Sequence, residues 1–382
     1  MQLWDVVVVG AGPAGASAAL AARRADPTAR VLVLDRAAFP RDKACGDGIA
    51  PEAFDLLAGL GAGNADEGYG PVANLRIDGP GGARAHRTMA RPARVIPREV
   101  FDARIVDAAL AAGVELRRRT VRRVQATTDG VVVDGEVHAR VLVAADGASG
   151  TVTRSLGMPQ APPGHTAVAV RGYVSAAPTD GQRIVMDAGE RWPAYAWSFP
   201  LADGTDRANV GYGVLVDSSR PASRAEMLHR LHDLMPWTRS GERWRGHLLP
   251  LSSWTPPQPD GRVLRVGDAA HRINPLTGEG IWYAIRTGML AGQTAVAAPR
   301  QGADPGARYR EAEQQAMGRH TRHVRLLSRV GRTPRLVDAG VAAAGAHQGA
   351  FDDLVAMGLT AGVITPRLAL RTGAAMVRRA RT

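Results

Sequence analysis

Residues Asp5 to Val9 form a short apolar run ending at Gly10, with glycines again at positions 12 and 15 before an Ala-rich stretch that continues to about Arg24. A second apolar run, Val31-Leu32-Val33-Leu34, closes on Asp35, 20 residues beyond Gly15. Strand, tight turn, helix, strand and terminal acid, in that order, restrict the fold more than any other segment of the chain. Gly10 permits the turn, Gly12 lets backbone amides approach a pyrophosphate, and Gly15 lets the helix pack close to the strand. Asp35 is then placed to accept from a ribose hydroxyl, the alternative being a structural turn in which it only caps a helix. The expected binding residues of this dinucleotide-type unit are Gly10, Gly12, Ala14, Gly15, Asp35 and Arg36.

Two more apolar runs end the same way. Val141-Leu142-Val143-Ala144-Ala145 leads into Asp146-Gly147, and Val263-Leu264-Arg265-Val266 leads into Gly267-Asp268. Strand ends of this kind are where a doubly wound sheet places its ligand. Between them the pattern V-I-P-R-E-V-F-D-A-R-I-V-D-A-A-L-A-A-G from Val95 to Gly113 reads as a strand end running into an amphipathic helix, with Arg98 at its start. From about Ser155 to Pro256 the texture changes to alternating strands with Trp, Pro and turn residues, and after about Gly280 it is mainly helical. The expected architecture is α/β: a Rossmann-type nucleotide-binding domain, an inserted antiparallel β-sheet substrate domain and a helical C-terminal region. Its boundaries are 1–154 for the binding segments (75–100 joining the substrate domain), 155–256 for the β-rich insert, 257–299 for the return, and 300–382 for the Arg-rich helical end.

Composition narrows the classes. The 382 residues are long enough for two lobes, and 45% hydrophobic with 22% charged residues excludes a disordered or fibrous chain. One cysteine, Cys45, excludes an intrachain disulfide and any multi-cysteine zinc site, and points to a reducing, cytoplasmic setting. The net charge of +12 is almost wholly arginine, Lys43 being the sole lysine, and much of it lies at the C-terminal end. Arg319, Arg322, Arg325, Arg329 and Arg332 recur every three or four residues there. That spacing suits a solvated helix face, with peripheral docking at the inner face of a membrane as the second reading and RNA the last, so no nucleic-acid partner is expected. No signal peptide, membrane-length apolar run, P-loop or G-x-S-x-G elbow is evident, which leaves NTPase and hydrolase readings without support.

These segments together resemble the FAD-dependent oxidoreductases that include aromatic hydroxylases, flavin halogenases and geranylgeranyl reductases. The resemblance rests on the N-terminal fingerprint, on Asp146-Gly147 with Arg154 downstream, and on Gly267-Asp268-Ala269-Ala270-His271 followed by Pro275, Gly278 and Gly280. Phe39-Pro40-Arg41-Asp42-Lys43-Ala44-Cys45-Gly46-Asp47-Gly48-Ile49 is similar to the F-P-R-x-K-x-C-G-x-G signature of the geranylgeranyl reductase family. Pro193-x-Tyr195-x-Trp197-x-Phe199-Pro200 is similar to that family's aromatic substrate wall. Asp47 and Trp282-Tyr283 depart from the pattern, where smaller groups are expected. The resemblance implies FAD as cofactor, with Asp268 at the ribityl chain and the Gly278, Gly280 and Ile281 turn against the isoalloxazine. Gly46, Arg98 and Asp146 join these as expected cofactor-binding residues.

Independently of any relative, Tyr195, Trp197 and Phe199 alternate at period two and so project from one face of a strand, as an apolar substrate wall or as ordinary sheet packing. Trp282 is added to them as a substrate contact. Cys45 reads as a small buried hydrophobe or, as the resemblance implies, as a catalytic group at the flavin–substrate junction. Glu279 reads as a proton donor or as a turn residue facing solvent. His271 belongs to a turn signature and is expected to be structural. The implied activity is reduction of a C=C bond in a lipophilic isoprenoid by hydride from reduced FAD, the flavin being recharged by NAD(P)H or by a partner electron-donor protein. The alternative is a monooxygenase that epoxidises a terpenoid alkene through a flavin hydroperoxide.

Overall fold

A computed structural model describes residues 3–159 and 161–379. The first strand, Leu3–Val9, lies between Val31–Asp35 and Val137–Ala144, parallel to both, with Val6 opposite Val31 on one side and Val141 on the other. Glu115–Arg118 extends the sheet beyond Val31–Asp35, and Val263–Arg265 pairs in parallel with the end of Val137–Ala144. Short antiparallel strands Val131–Val133 and Val124–Ala126 complete the seven. Every residue of Val31–Asp35 is buried, as a strand covered on both faces requires.

The helix Pro13–Ala25 packs on this sheet through small residues. A Cβ on Gly15 would stand 1.8 Å from the carbonyl oxygen of Gly10, so only glycine allows the contact. The long helix Ile281–Arg300 crosses it equally closely, because Gly288 and Gly292 meet the carbonyls of Ala14 and Ala18, where any Cβ would lie 2.1 Å from each oxygen. The alanine-rich composition of both helices is therefore a packing requirement, with the two axes brought near by the absence of side-chain bulk.

The second sheet has eight strands. In spatial order they are Glu242–Pro250, Thr166–Val174, Ala208–Leu215, Ala194–Pro200, Gln182–Asp187, Val72–Asp78, Arg84–Val95 and Gly48–Ile49. All neighbours are antiparallel except Gln182–Asp187 and Val72–Asp78, which run parallel because the latter strand enters from the first part of the chain. Residues 72–95 thus share a sheet with residues 166–250.

Five helices follow: Ile281–Arg300, Pro305–Val330, Pro334–Ala346, Gln348–Leu359 and Pro366–Arg379. The last three do not stand apart. Val341, Ala344 and Phe351 share a core cluster with Leu75, Ile77 and Ala85 of the second sheet. No helix among the described residues is long and apolar enough to cross a membrane.

Candidate active site

A cavity of about 1140 Å³ opens between the C-terminal ends of the first sheet, one face of the second sheet and the C-terminal helices. Its polar end is the glycine turn. Pro13 begins the helix there with Gly12 as N-cap and no side-chain cap, so the amide dipoles of the helix start point into open space. Gly12 contributes no side chain, and the nearest atoms to a Cβ there would be the Arg41 and Arg98 guanidiniums at 3.5 and 4.0 Å. Asp35 caps the turn from the side, its two carboxylate oxygens accepting from the amides of Ala11 at 2.7 Å and Ala37 at 2.8 Å. Each oxygen keeps a further lone pair for another donor. Arg36 and Asp146 stand in the same wall. Asp146 accepts from the amide of Val152 through one oxygen at 2.8 Å, while its other oxygen is buried without a partner in the chain.

Arg98 starts the helix Arg98–Ala111 and is buried with Asp102, to which it donates twice, at 2.6 and 2.8 Å. Arg41 lies 3.1 Å from the same carboxylate. Further along, Lys43 Nζ is 3.0 Å from Asp268 and His247 is 3.8 Å from it. Burial is the largest single influence and would raise the Asp268 carboxyl, but Lys43 and His247 together outweigh it and hold the group well below the usual carboxylate range. Beside it, Gly278 with φ +74°, Gly280 and Ile281 form the start of the helix Ile281–Arg300, where the N-cap Gly280 has no side chain to cap it. An anion-accepting helix start, a half-satisfied carboxylate set for hydroxyl donors and a second helix start at a glycine turn make a donor and acceptor set that fits the pyrophosphate, sugar and ring system of FAD.

Beyond this end lie Cys45, Gly46, Asp47 and Glu279, facing the aromatic strand. Tyr195, Trp197 and Phe199 do project from one face, with ring centroids 6.0 and 6.5 Å apart in sequence. Tyr195 donates to the carbonyl of Thr277 at 2.5 Å, and Trp197 donates to Asn209 at 2.8 Å. Trp197 occupies the notch left by Gly211, where a Cβ would come within 2.2 Å of its ring. Gly46 is the close approach on the opposite side, a Cβ there lying 3.4 Å from both Trp197 and Phe199.

Glu279 does not face solvent. It lines the cavity and accepts from the amide of Trp282 at 2.9 Å, and burial pushes its carboxyl up to about 7. Burial also raises the Cys45 thiol, so it stays neutral. Trp282 departs from expectation: it is buried in the core, edge-on to Tyr283 with centroids 5.0 Å apart, and is not among the cavity-lining residues. As the second residue of its helix it points back into the first domain, while Ile281 and Ala284 face the cavity. Tyr283 serves the turn itself, because its hydroxyl joins Asn274, His320 and the carbonyl of Thr360. His271 is likewise off the cavity wall, and burial followed by the charges of Arg265 and Arg272 lowers it to about 4, leaving it neutral.

Three site residues went unread in the sequence. Arg171, 1% exposed in the middle of Thr166–Val174, ties down the Cys45 segment by donating to Asp42 at 2.5 Å and to the carbonyls of Lys43 and Cys45 at 2.9 and 3.2 Å. Asn209 donates to the same Cys45 carbonyl at 2.8 Å and to Asp47 at 2.7 Å, and Tyr173 donates to Asp47 at 2.5 Å. The available signal was a charged residue inside an otherwise apolar strand, A-V-A-V-R-G-Y-V, since such a residue is found buried only when paired.

The sequence pattern of the FAD binding domain family matches residues 4–325. Menaquinone reductase of Mycolicibacterium smegmatis is 36% identical over 320 residues, covering 76% of this chain and 75% of the relative. Digeranylgeranylglycerophospholipid reductase 1 of Methanopyrus kandleri is 33% identical over 326 residues, covering 77% and 81%. The chain belongs to the FAD-dependent geranylgeranyl reductase family. A geranylgeranyl bacteriochlorophyll reductase-like protein from Thermoplasma acidophilum superposes with a TM-score of 0.79 at 20% identity, covering 100% of this chain and 99% of that one, a likeness of fold. As a member of the family the protein is an FAD-dependent oxidoreductase within the aromatic-hydroxylase-like flavoproteins.

Proposed function

We propose that this oxidoreductase saturates an isolated C=C bond in the isoprenoid chain of a lipophilic substrate of the prenylquinone or prenyl-lipid class. The observation that carries this reading is the continuity of the cavity. It runs from the Asp35 turn, past Cys45, Glu279 and the aromatic strand, to an apolar chamber walled by Leu75, Ile77, Val341, Leu354 and Val355. At about 1140 Å³ it exceeds the ~300 to 1,000 Å³ of a drug-sized ligand's pocket, as a site for both a dinucleotide and an extended chain must. The names of the two relatives specify menaquinone and a digeranylgeranyl lipid, both of which carry polyprenyl chains.

Asp35 and the start of Pro13–Ala25 would hold the adenosine diphosphate half of FAD, with Arg36, Arg41 and Asp146 around it. Lys43 and Asp268 would meet the ribityl chain, and the amides at Gly278 to Ile281 the ring system. FAD, when bound and reduced, supplies hydride to one alkene carbon. The other carbon must receive a proton, and Glu279 is the wall group suited to give it: a carboxyl held near 7 is substantially protonated at neutral pH. The carboxylate left behind keeps the amide of Trp282 and feels the charge of Arg98, both of which favour its charged form. Cys45, neutral beside it, presents a thiol to the same junction. Tyr195, Trp197 and Phe199 exclude water and fix the alkene by apolar contact. NAD(P)H or an electron-donor protein recharges the flavin.

Anaerobic reduction of the purified holoprotein with dithionite, followed by a geranylgeranyl substrate, tests the reading. The expected result is flavin reoxidation by the alkene alone, with product mass increased by two hydrogens. No reaction until O₂ is admitted, with gain of one oxygen, would overturn it in favour of epoxidation.

A further inference from the structure

The cavity's far end is walled by the helix Pro366–Arg379, through Leu368, Ala369, Thr372, Gly373 and Met376. This helix carries two unlike faces. Leu368 and Ala375 are buried against the rest of the protein, while Leu370, Met376 and Val377 are 74%, 42% and 55% exposed. At 100° per residue Leu370 and Val377 nearly coincide with Pro366 and Ala374 on either side, so the outward surface is apolar, while Ala369, Gly373 and Met376 form the edge where it meets the cavity. Arg371 and Arg378 stand along one side of it, and Arg367 on the same side is paired with Asp353 of the helix Gln348–Leu359 at 2.7 Å. The helix contains no acidic residue.

The neighbourhood repeats the pattern. Of the eight large apolar side chains exposed among the described residues, five lie in this helix or at the end of Pro305–Val330, where Leu326 and Val330 are 53% and 40% exposed. Leu327, Arg329 and Arg332 in that same region also line the cavity. Exposed apolar groups and arginines therefore stand next to residues that line the apolar chamber.

We infer that the outward face of Pro366–Arg379 docks on the surface of an anionic phospholipid bilayer, which seats the cavity mouth on the membrane. Leucine, methionine and valine enter the boundary between headgroups and acyl chains, as in other interfacial helices, and the arginines meet lipid phosphates. A prenyl chain then passes from bilayer to cavity without being exposed to water. This step rests on the proposed lipophilic substrate, but docking itself is measured without turnover.

Co-sedimentation of the FAD-loaded protein with vesicles of phosphatidylglycerol mixed with phosphatidylcholine, against vesicles of phosphatidylcholine alone, is the test. Binding to the anionic vesicles that declines with added salt is expected. The Leu370→Glu, Val377→Glu variant changes two exposed positions outside the cavity wall. It should lower the bound fraction by about tenfold or more while its flavin content and circular dichroism stay those of the parent. Its turnover of detergent-dispersed substrate should also be unchanged, while turnover of vesicle-embedded substrate falls. Equal binding to both vesicle types at low salt, or undiminished binding of the variant, would overturn the inference. So would a dimer in light scattering that the same variant dissociates without any vesicle binding by the parent, since a second copy would then own this face. Failure of the parent to turn over dispersed substrate would count against the proposed reaction alone.

Discussion

Glu279 is subject to opposing demands. Its position in the wall removes it from water and raises its carboxyl to about 7, while the amides of Trp282 and Ile281 and the charge of Arg98 pull the other way. A group so poised loses its proton as pH rises through neutrality, so kcat for alkene reduction should fall across that range. Glu279→Gln should lower kcat by about 10²- to 10⁴-fold and remove that limb of the profile. A variant with the parental pH profile would assign the proton to another group. Linkage adds a second readout with a definite sign. A carboxyl raised in the folded state contributes stability that is present below its unfolded value of about 4.3 and is lost as pH rises through about 7. Relative to the parent, Glu279→Gln should therefore melt higher at pH 8 than at pH 5, by a margin that thermal unfolding at both pH values measures.

At the scale of elements, the helices that follow Gly280 decide how long a substrate the cavity takes. Gly340, in Pro334–Ala346, lines the cavity, and a Cβ built on it meets nothing within 4 Å. Gly340→Phe should fill that space without a clash and even gain helix propensity, of order 0.5 kcal/mol. The expected outcome is a protein as stable as the parent whose kcat/KM drops by about tenfold or more for a geranylgeranyl chain and little for a geranyl one; equal losses on both would place the chain elsewhere. No part of this wall was legible in the sequence, because runs such as V-A-A-A-G-A pack against a sheet or border a pocket with the same pattern. The glycine turn was legible because its spacing reflects contacts within a few residues, and the aromatic strand because period two fixes a face whatever lies opposite. Arg171 and Cys45, by contrast, meet across 126 positions of sequence, and nothing local encodes that pairing. Trp282 was misplaced for a related reason: one residue of rotation on a helix start separates Ile281 in the cavity wall from Trp282 in the core.

For the whole molecule, the decisive feature is that one segment, Asp42 to Gly48, ties the first domain to the second sheet. Lys43 pairs with Asp268 of the first domain, Arg171, Tyr173 and Asn209 of the second sheet grip its backbone and Asp47, and Gly48–Ile49 is itself an edge strand of that sheet. A ligand that fills the cavity between these units binds the folded arrangement and has no counterpart site in the unfolded chain. FAD should therefore raise the melting temperature of the whole chain in a single transition, by ~2.7 kcal/mol of stabilisation when free FAD stands at 100 times its Kd. Asp35→Ala removes the acceptor proposed for the ribose hydroxyls and should weaken FAD retention by about 10- to 100-fold. It also unpairs the amides of Ala11 and Ala37, so the apoprotein of the variant will itself melt lower. The two effects separate when the FAD-induced shift is measured for each protein against its own apo form. A shift as large in Asp35→Ala as in the parent, at the same free FAD, would show that the carboxylate shapes the turn and takes no part in holding the cofactor.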